Sequence, residues 1–122
     1  MNTKFQSVKV LIERLDNQTL SLSGMLSHFF KKIQTKNSSL NSIVSQISEN
    51  ELHTKINISE FRIRTAKKRS PLEGFPIAIK DLEDTKGIIT TSGSPIFREN
   101  IPKSDSPMVR NLRKAGCLII GK

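Results

Sequence analysis

The chain has 122 residues, 20 basic against 11 acidic side chains, and a formal net charge of +9. That length fits one domain and can bury a core without disulfides or a structural metal, and the lone cysteine, Cys117, excludes an intrachain disulfide framework and a multi-cysteine zinc site. Six Phe with neither Trp nor Tyr argue against aromatic base stacking, while the basic excess permits an anionic partner without establishing one.

No apolar run approaches the ~20 residues a membrane helix needs. The first residues, MNTKFQSVKVLIERLDN, carry charges where a signal peptide needs an apolar stretch. One thiol and no export signal point to a reducing cytoplasm. On that route the sequons at Asn17, Asn37 and Asn57 are incidental.

Residues 3–16 read as a first helix, with Phe5, Val8, Ile12 and Leu15 on one face. Ser21 is a candidate N-cap for a second helix, whose apolar stripe is Leu22, Met25, Leu26, Phe29 and Ile33. Lys31, Lys32 and Lys36 gather toward its C-terminal end, where positive charge suits the helix dipole. Asn37-Ser38-Ser39 reads as a turn. A third helix is expected over about 49–68, interrupted at Asn57-Ile58-Ser59. Arg62, Arg64, Lys67, Lys68 and Arg69 then form a basic run. A solvated helix end is the ordinary explanation of such a run, and a phosphate-binding patch is the alternative.

The composition changes at Ser70-Pro71, where Gly and Pro begin to punctuate closely. The chain therefore divides into an N-terminal helical region, 1–69, and the start of an α/β core, 70–122. Within the second part, Ile77-Ala78-Ile79 is a short apolar run ending in Lys80-Asp81. It fits a strand over 77–80 that is buried on both faces. Residues 104–115 read as a helix, capped by Ser104 or Asp105, with Met108, Val109, Leu112 and Ala115 facing one way and Gly116 as its stop. Residues 117–120 are a second buried strand. Strand, excursion, helix, strand outlines a βαβ unit, which needs a parallel sheet.

Two motif matches fail on chemistry. Residues 116–122 fit GxxxxGK, but a phosphate-binding loop is a polar turn and the four middle residues here are an apolar strand. Ile77-Ala78-Ile79-Lys80 looks like the lysine strand of a kinase, yet no GxGxxG precedes it.

A lysine at the end of a buried strand has two explanations. It reaches water at the sheet edge, or it is partly desolvated, which lowers the pKa of its amine and makes it a usable general base for activating a serine. The wider pattern bears on this choice. Residues 71–82 read PLEGFPIAIKDL, residues 86–97 read KGIITTSGSPIF, and residues 102–122 read PKSDSPMVRNLRKAGCLIIGK. Together they resemble the start of the amidase signature family, strongly over the last 50 or so residues and weakly over the first 45.

The resemblance implies an α/β fold. N-terminal helices precede the first strands of a mixed or parallel sheet, truncated here. It also implies hydrolysis of carboxylic amide C–N bonds by a Ser–cis-Ser–Lys triad, with Lys80 as the triad lysine. Both serines of that family lie beyond Lys122, so the 122 residues alone are expected to be inactive and poorly stable or sticky. Thr90, Thr91, Gly93 and Ser94 either shape the pocket or line it. Ser92 and Ser94 match no nucleophile motif, and His28 and His53 match no catalytic position. Direct pairing of Asp81 with Lys80 is not expected, since neighbours on a strand point to opposite faces.

Two other functions remain open. One is a truncated A-type subunit of the glutamyl/aspartyl-tRNA amidotransferase; the other is a non-catalytic module using the basic run. The expected partners are a small-molecule amide and a second chain supplying the serines, rather than nucleic acid or membrane. No cofactor or metal is expected. The amide itself is not legible.

Overall fold

Serine decides where each helix starts. The computed structural model describes residues 6–122. In it, α1 (Val8–Asp16), α2 (Leu22–Leu40), α3 (Glu49–Arg64) and α4 (Pro107–Lys114) follow Ser7, Ser21, Ser48 and Ser106. Each serine is extended, and its hydroxyl accepts a hydrogen bond from a backbone N–H of the first turn that has no partner inside the helix. At α3 the arrangement is reciprocal. Glu51 N donates to Ser48 Oγ at 3.2 Å, and Ser48 N donates back to Glu51 Oε2 at 2.8 Å.

Several boundaries differ from the sequence expectation. α1 begins at Val8 rather than residue 3, because Ser7 caps it, and Phe5 lies outside the described residues. Its buried face is Leu11 and Leu15, while Val8 is half exposed. α2 runs through Asn37-Ser38-Ser39 instead of turning there, and ends on Asn41 in the left-handed conformation. Asn37 makes the turn from within the helix: its Oδ1 accepts from Ile43 N at 2.9 Å and its Nδ2 donates to Ile43 O at 2.7 Å. α3 is unbroken at 57–59, since Ser59 faces inward and donates to Glu73 Oε1 at 2.7 Å. It stops at Arg64, four residues short of the expected end. α4 starts at Pro107 because Ser106 is the cap. Asp105 instead receives Lys86 N and pairs with Arg113.

β1 (Pro76–Ala78) and β2 (Leu118–Gly121) pair in parallel, with Pro76 opposite Leu118 and Ile77 opposite Ile119. β1 is not buried on both faces: Ala78 is exposed and the burial falls on Ile79. Residues 44–47 run antiparallel along the other side of β2, through Lys122 N to Ser45 O (2.7 Å), Val44 N to Lys122 O (2.7 Å) and Ile47 N to Ile120 O (3.0 Å). β2 is thus flanked on one side by parallel β1 and on the other by an isolated antiparallel bridge between Gln46 and Gly121.

Alternation along β2 divides the core in two. Leu118 and Ile120 belong to one cluster with Leu22, Met25, Leu26 and Phe30 of α2 and Leu52 and Ile56 of α3. Ile119 points the other way, into a smaller cluster with Ile79, Ile88 and Val109. Each fully buried aliphatic side chain contributes about 1.5–3 kcal/mol, so the helical layer and the sheet depend on β2 for their shared surface.

Candidate active site

The exit of β1 places Lys80. The preceding Ile79 is buried, and its N–H donates to Gly121 O at 2.9 Å. After Lys80 the chain turns at once, with Glu83 N donating to Lys80 O at 3.1 Å. The backbone on either side of Lys80 is therefore pinned. Its side chain is exposed, and among the described residues its ammonium has no hydrogen bond or ion pair. Of the two explanations for a lysine at a strand end, exposure at the sheet edge is the one seen among the described residues.

The neighbouring carboxylate has other partners. Asp81 accepts Thr91 N at 3.0 Å and also the Thr91 hydroxyl. Direct pairing with Lys80 does not occur. The 90–94 segment is a shaped turn: Ser94 N donates to Thr91 O at 2.9 Å, and Ser92 and Gly93 both adopt positive φ. Ser94 Oγ caps the short 3-10 turn Pro95–Phe97.

The buried lysine of this structure is Lys122, whose side chain is fully enclosed. Its Nζ donates to Thr90 Oγ1 at 2.9 Å, to Thr85 Oγ1 at 3.1 Å and to the Glu83 carbonyl. The Asp81 carboxylate lies 4.0 Å away. Burial pushes the Lys122 amine below its ordinary value, against the pull of the Asp81, Asp84 and Glu83 carboxylates. Sequence reasoning missed this residue. Its signals were a lysine two residues after the apolar run Cys117–Ile120 and the rejected GxxxxGK match, and its partners lie 32 to 39 residues upstream. The same burial rules out a phosphate-loop role for the GxxxxGK match, since the ammonium is already saturated.

The basic run is partly consumed by structure. Lys68 Nζ reaches Asp16 Oδ1 at 2.6 Å, and Arg69 grips Glu73. Arg62 Nη1 lies 3.5 Å from Lys67 O. Arg64 and Lys67 are exposed. Cys117 is buried, and burial pushes its thiol up. No group of three or more His, Cys, Asp or Glu among the described residues is placed to hold a metal. Among the same residues, no helix is long and apolar enough to cross a membrane.

The family model for amidases matches residues 25–122, which include Lys80 and the whole β1–β2 pair. The chain belongs to the amidase family. The A-type subunit of the glutamyl-tRNA(Gln) amidotransferase of Psychrobacter sp. (strain PRwf-1) is 37% identical over 116 residues, covering 95% of this chain and 23% of that protein. The native peptide amidase of Stenotrophomonas maltophilia superposes with a TM-score of 0.80 at 23% identity, over 92% of this chain and 23% of the amidase. An amidase family protein from Bacillus anthracis str. Ames gives 0.81 at 24% identity, over 97% of this chain and 24% of that one. The chain thus spans about a quarter of the length of the amidase relatives it matches. These likenesses agree with the α/β architecture of helices and a small parallel sheet found here.

Proposed function

We propose that this chain supplies the lysine arm of an amide C–N hydrolase. The amine of Lys80 takes a proton from a bridging cis-serine, which in turn takes the proton of the nucleophilic serine. That serine attacks the amide carbonyl, the leaving nitrogen receives the proton taken up by Lys80 back through the bridging serine and departs as the free amine or ammonia, and water releases the acyl group. One observation supports this reading above others: the ammonium of Lys80 is unengaged, while the backbone on both sides of it is held by hydrogen bonds. Rigid backbone under a free amine is what positioning of a general base requires. The two serines and the backbone donors for the oxyanion come from a segment outside these 122 residues, in the same chain or in a second one.

A second reading is favoured by the 37% identity to the amidotransferase protein, higher than the identity to any of the amidases superposed above. On it, the amide is glutamine and the product of cleavage is ammonia for a partner protein. Both readings place the protein in the cytoplasm.

The test joins residues 1–122, in cis or as a separate chain, to the serine-bearing segment of a family member. Turnover is measured on glutamine, an amino-acid amide and a peptide amide. The expected result is turnover in the joined protein, none with residues 1–122 alone, and loss of at least about a thousandfold in Lys80→Met, since triad members act as a unit. Turnover by the 122 residues alone, or full activity in Lys80→Met, would overturn the reading. Preference for glutamine over the other two amides would select the second reading.

A further inference from the structure

An exposed lysine has four rotatable bonds, and nothing among the described residues holds the ammonium of Lys80. Where that amine can reach is therefore set by its backbone, and the backbone is tied at two points to the end of β2. On the N-terminal side, Ile79 N donates to Gly121 O at 2.9 Å. On the C-terminal side, Glu83 closes the turn through Lys80 O, and the Glu83 carbonyl accepts Lys122 Nζ.

The Lys122 ammonium has three hydrogens and three acceptors, so none is left over. The two threonine hydroxyls that accept from it donate onward, Thr85 to Glu83 O at 3.0 Å and Thr90 to Ile88 O at 3.1 Å. The main chain of Lys122 is bound by Ser45 O and Val44 N, both at 2.7 Å. A methionine would fill the same space without the cost of burying a charge. What it could not do is hold the Glu83 carbonyl and both hydroxyls in one fixed arrangement.

We propose that Lys122 is a positioning residue for Lys80: its buried ammonium locks the 80–85 turn against the Thr90 segment and so fixes the Lys80 backbone, from which the range of its amine is set. The proposal rests on the reading of Lys80 as the triad lysine, and its test separates the two. Lys122→Met and Thr90→Val are made in the 122-residue chain and in the joined protein. In the chain, amide hydrogen exchange is followed at Glu83, with Leu26 and Val109 as core references. Exchange at Glu83 should rise by about tenfold or more in Lys122→Met, the equivalent of a hydrogen bond to a charged group, and by less in Thr90→Val, with the core references unchanged.

In the joined protein, kcat should fall by about tenfold or more in Lys122→Met while KM stays put, because substrate is not touched. Unchanged Glu83 exchange, exchange rising equally at all three amides, or wild-type kcat in Lys122→Met would overturn the proposal. If Lys122→Met does not fold, Thr90→Val decides on the same readouts. Full activity in Lys80→Met would instead overturn the triad reading. Loss of activity in Lys80→Met with wild-type activity in Lys122→Met would overturn the positioning role alone.

Discussion

The Arg69 guanidinium holds the buried Glu73 carboxylate at two points, Nε to Oε2 at 2.8 Å and Nη2 to Oε1 at 2.7 Å. Ser59 adds a third bond from α3, and Arg69 N a fourth. Burial alone would raise the Glu73 carboxyl, but these bonds outweigh it and hold the group at about 2, against an ordinary 4.5. A carboxyl held low in the folded state stabilises above its unfolded value, and that contribution is lost as pH falls from about 4.5 to about 2. It is on the order of 2 kcal/mol once screening at the partly exposed Arg69 is allowed for. Glu73→Gln should therefore lower stability at pH 7 by that amount. It should also flatten the loss of stability between pH 4.5 and 2, as read by urea unfolding at several pH values.

The same carboxylate explains Gly116. Its φ is +92°, and a Cβ built there would meet Glu73 Oε2 at 2.6 Å. Gly116→Ala has to shift a carboxylate already fixed by four donors, besides adopting a backbone conformation unfavourable to alanine. A loss of about 2 kcal/mol or more in thermal unfolding is expected. In the Glu73→Gln background the two losses should fall short of additive, since the sites touch.

Ser48→Ala removes the hydroxyl that accepts from Glu51 N and should cost about 1 kcal/mol. Circular dichroism would show the first turn of α3 fraying. Thr in the same place should recover most of the loss.

Several large apolar side chains in the sequence between β1 and α4 stand open. Ile96 is 87% exposed, and Leu82, Phe97 and Ile101 are each about half exposed. Apolar side chains this open favour self-association. Ile96→Ser should raise the solubility of the 122-residue chain with no loss of melting temperature. In the joined protein the same substitution should weaken association with the serine-bearing segment, measurable when the two are separate chains.

What the sequence disclosed follows from the range of the interactions. α2 and α4 were legible because their signals are local: an apolar residue every three or four positions, and a serine close to the start. The order of strand, helix and strand was legible for the same reason. The end of α2 was not, because Asn-Ser-Ser has turn propensity, yet the Asn37 side chain serves a turn at Ile43, six residues later. For Lys80 the sequence left exposure and desolvation both open, since burial at a strand end depends on what packs there. Lys122 was illegible because the three acceptors that enclose it are separated from it by 32 to 39 residues of sequence.

β2 lies last among the described elements and walls both hydrophobic clusters. A ribosome delivers α2 and α3 well before Leu118 and Ile120 exist to complete their shared cluster, and it delivers β1 about 40 residues before its only described strand partner. These helices must therefore wait as a half-built layer during synthesis, with Met25, Leu26 and Phe30 unsealed on the side that β2 will close. The interval is one in which a chaperone has something to hold. Protection from protease should arrive in one step as residues 118–122 clear the exit tunnel, for both clusters at once.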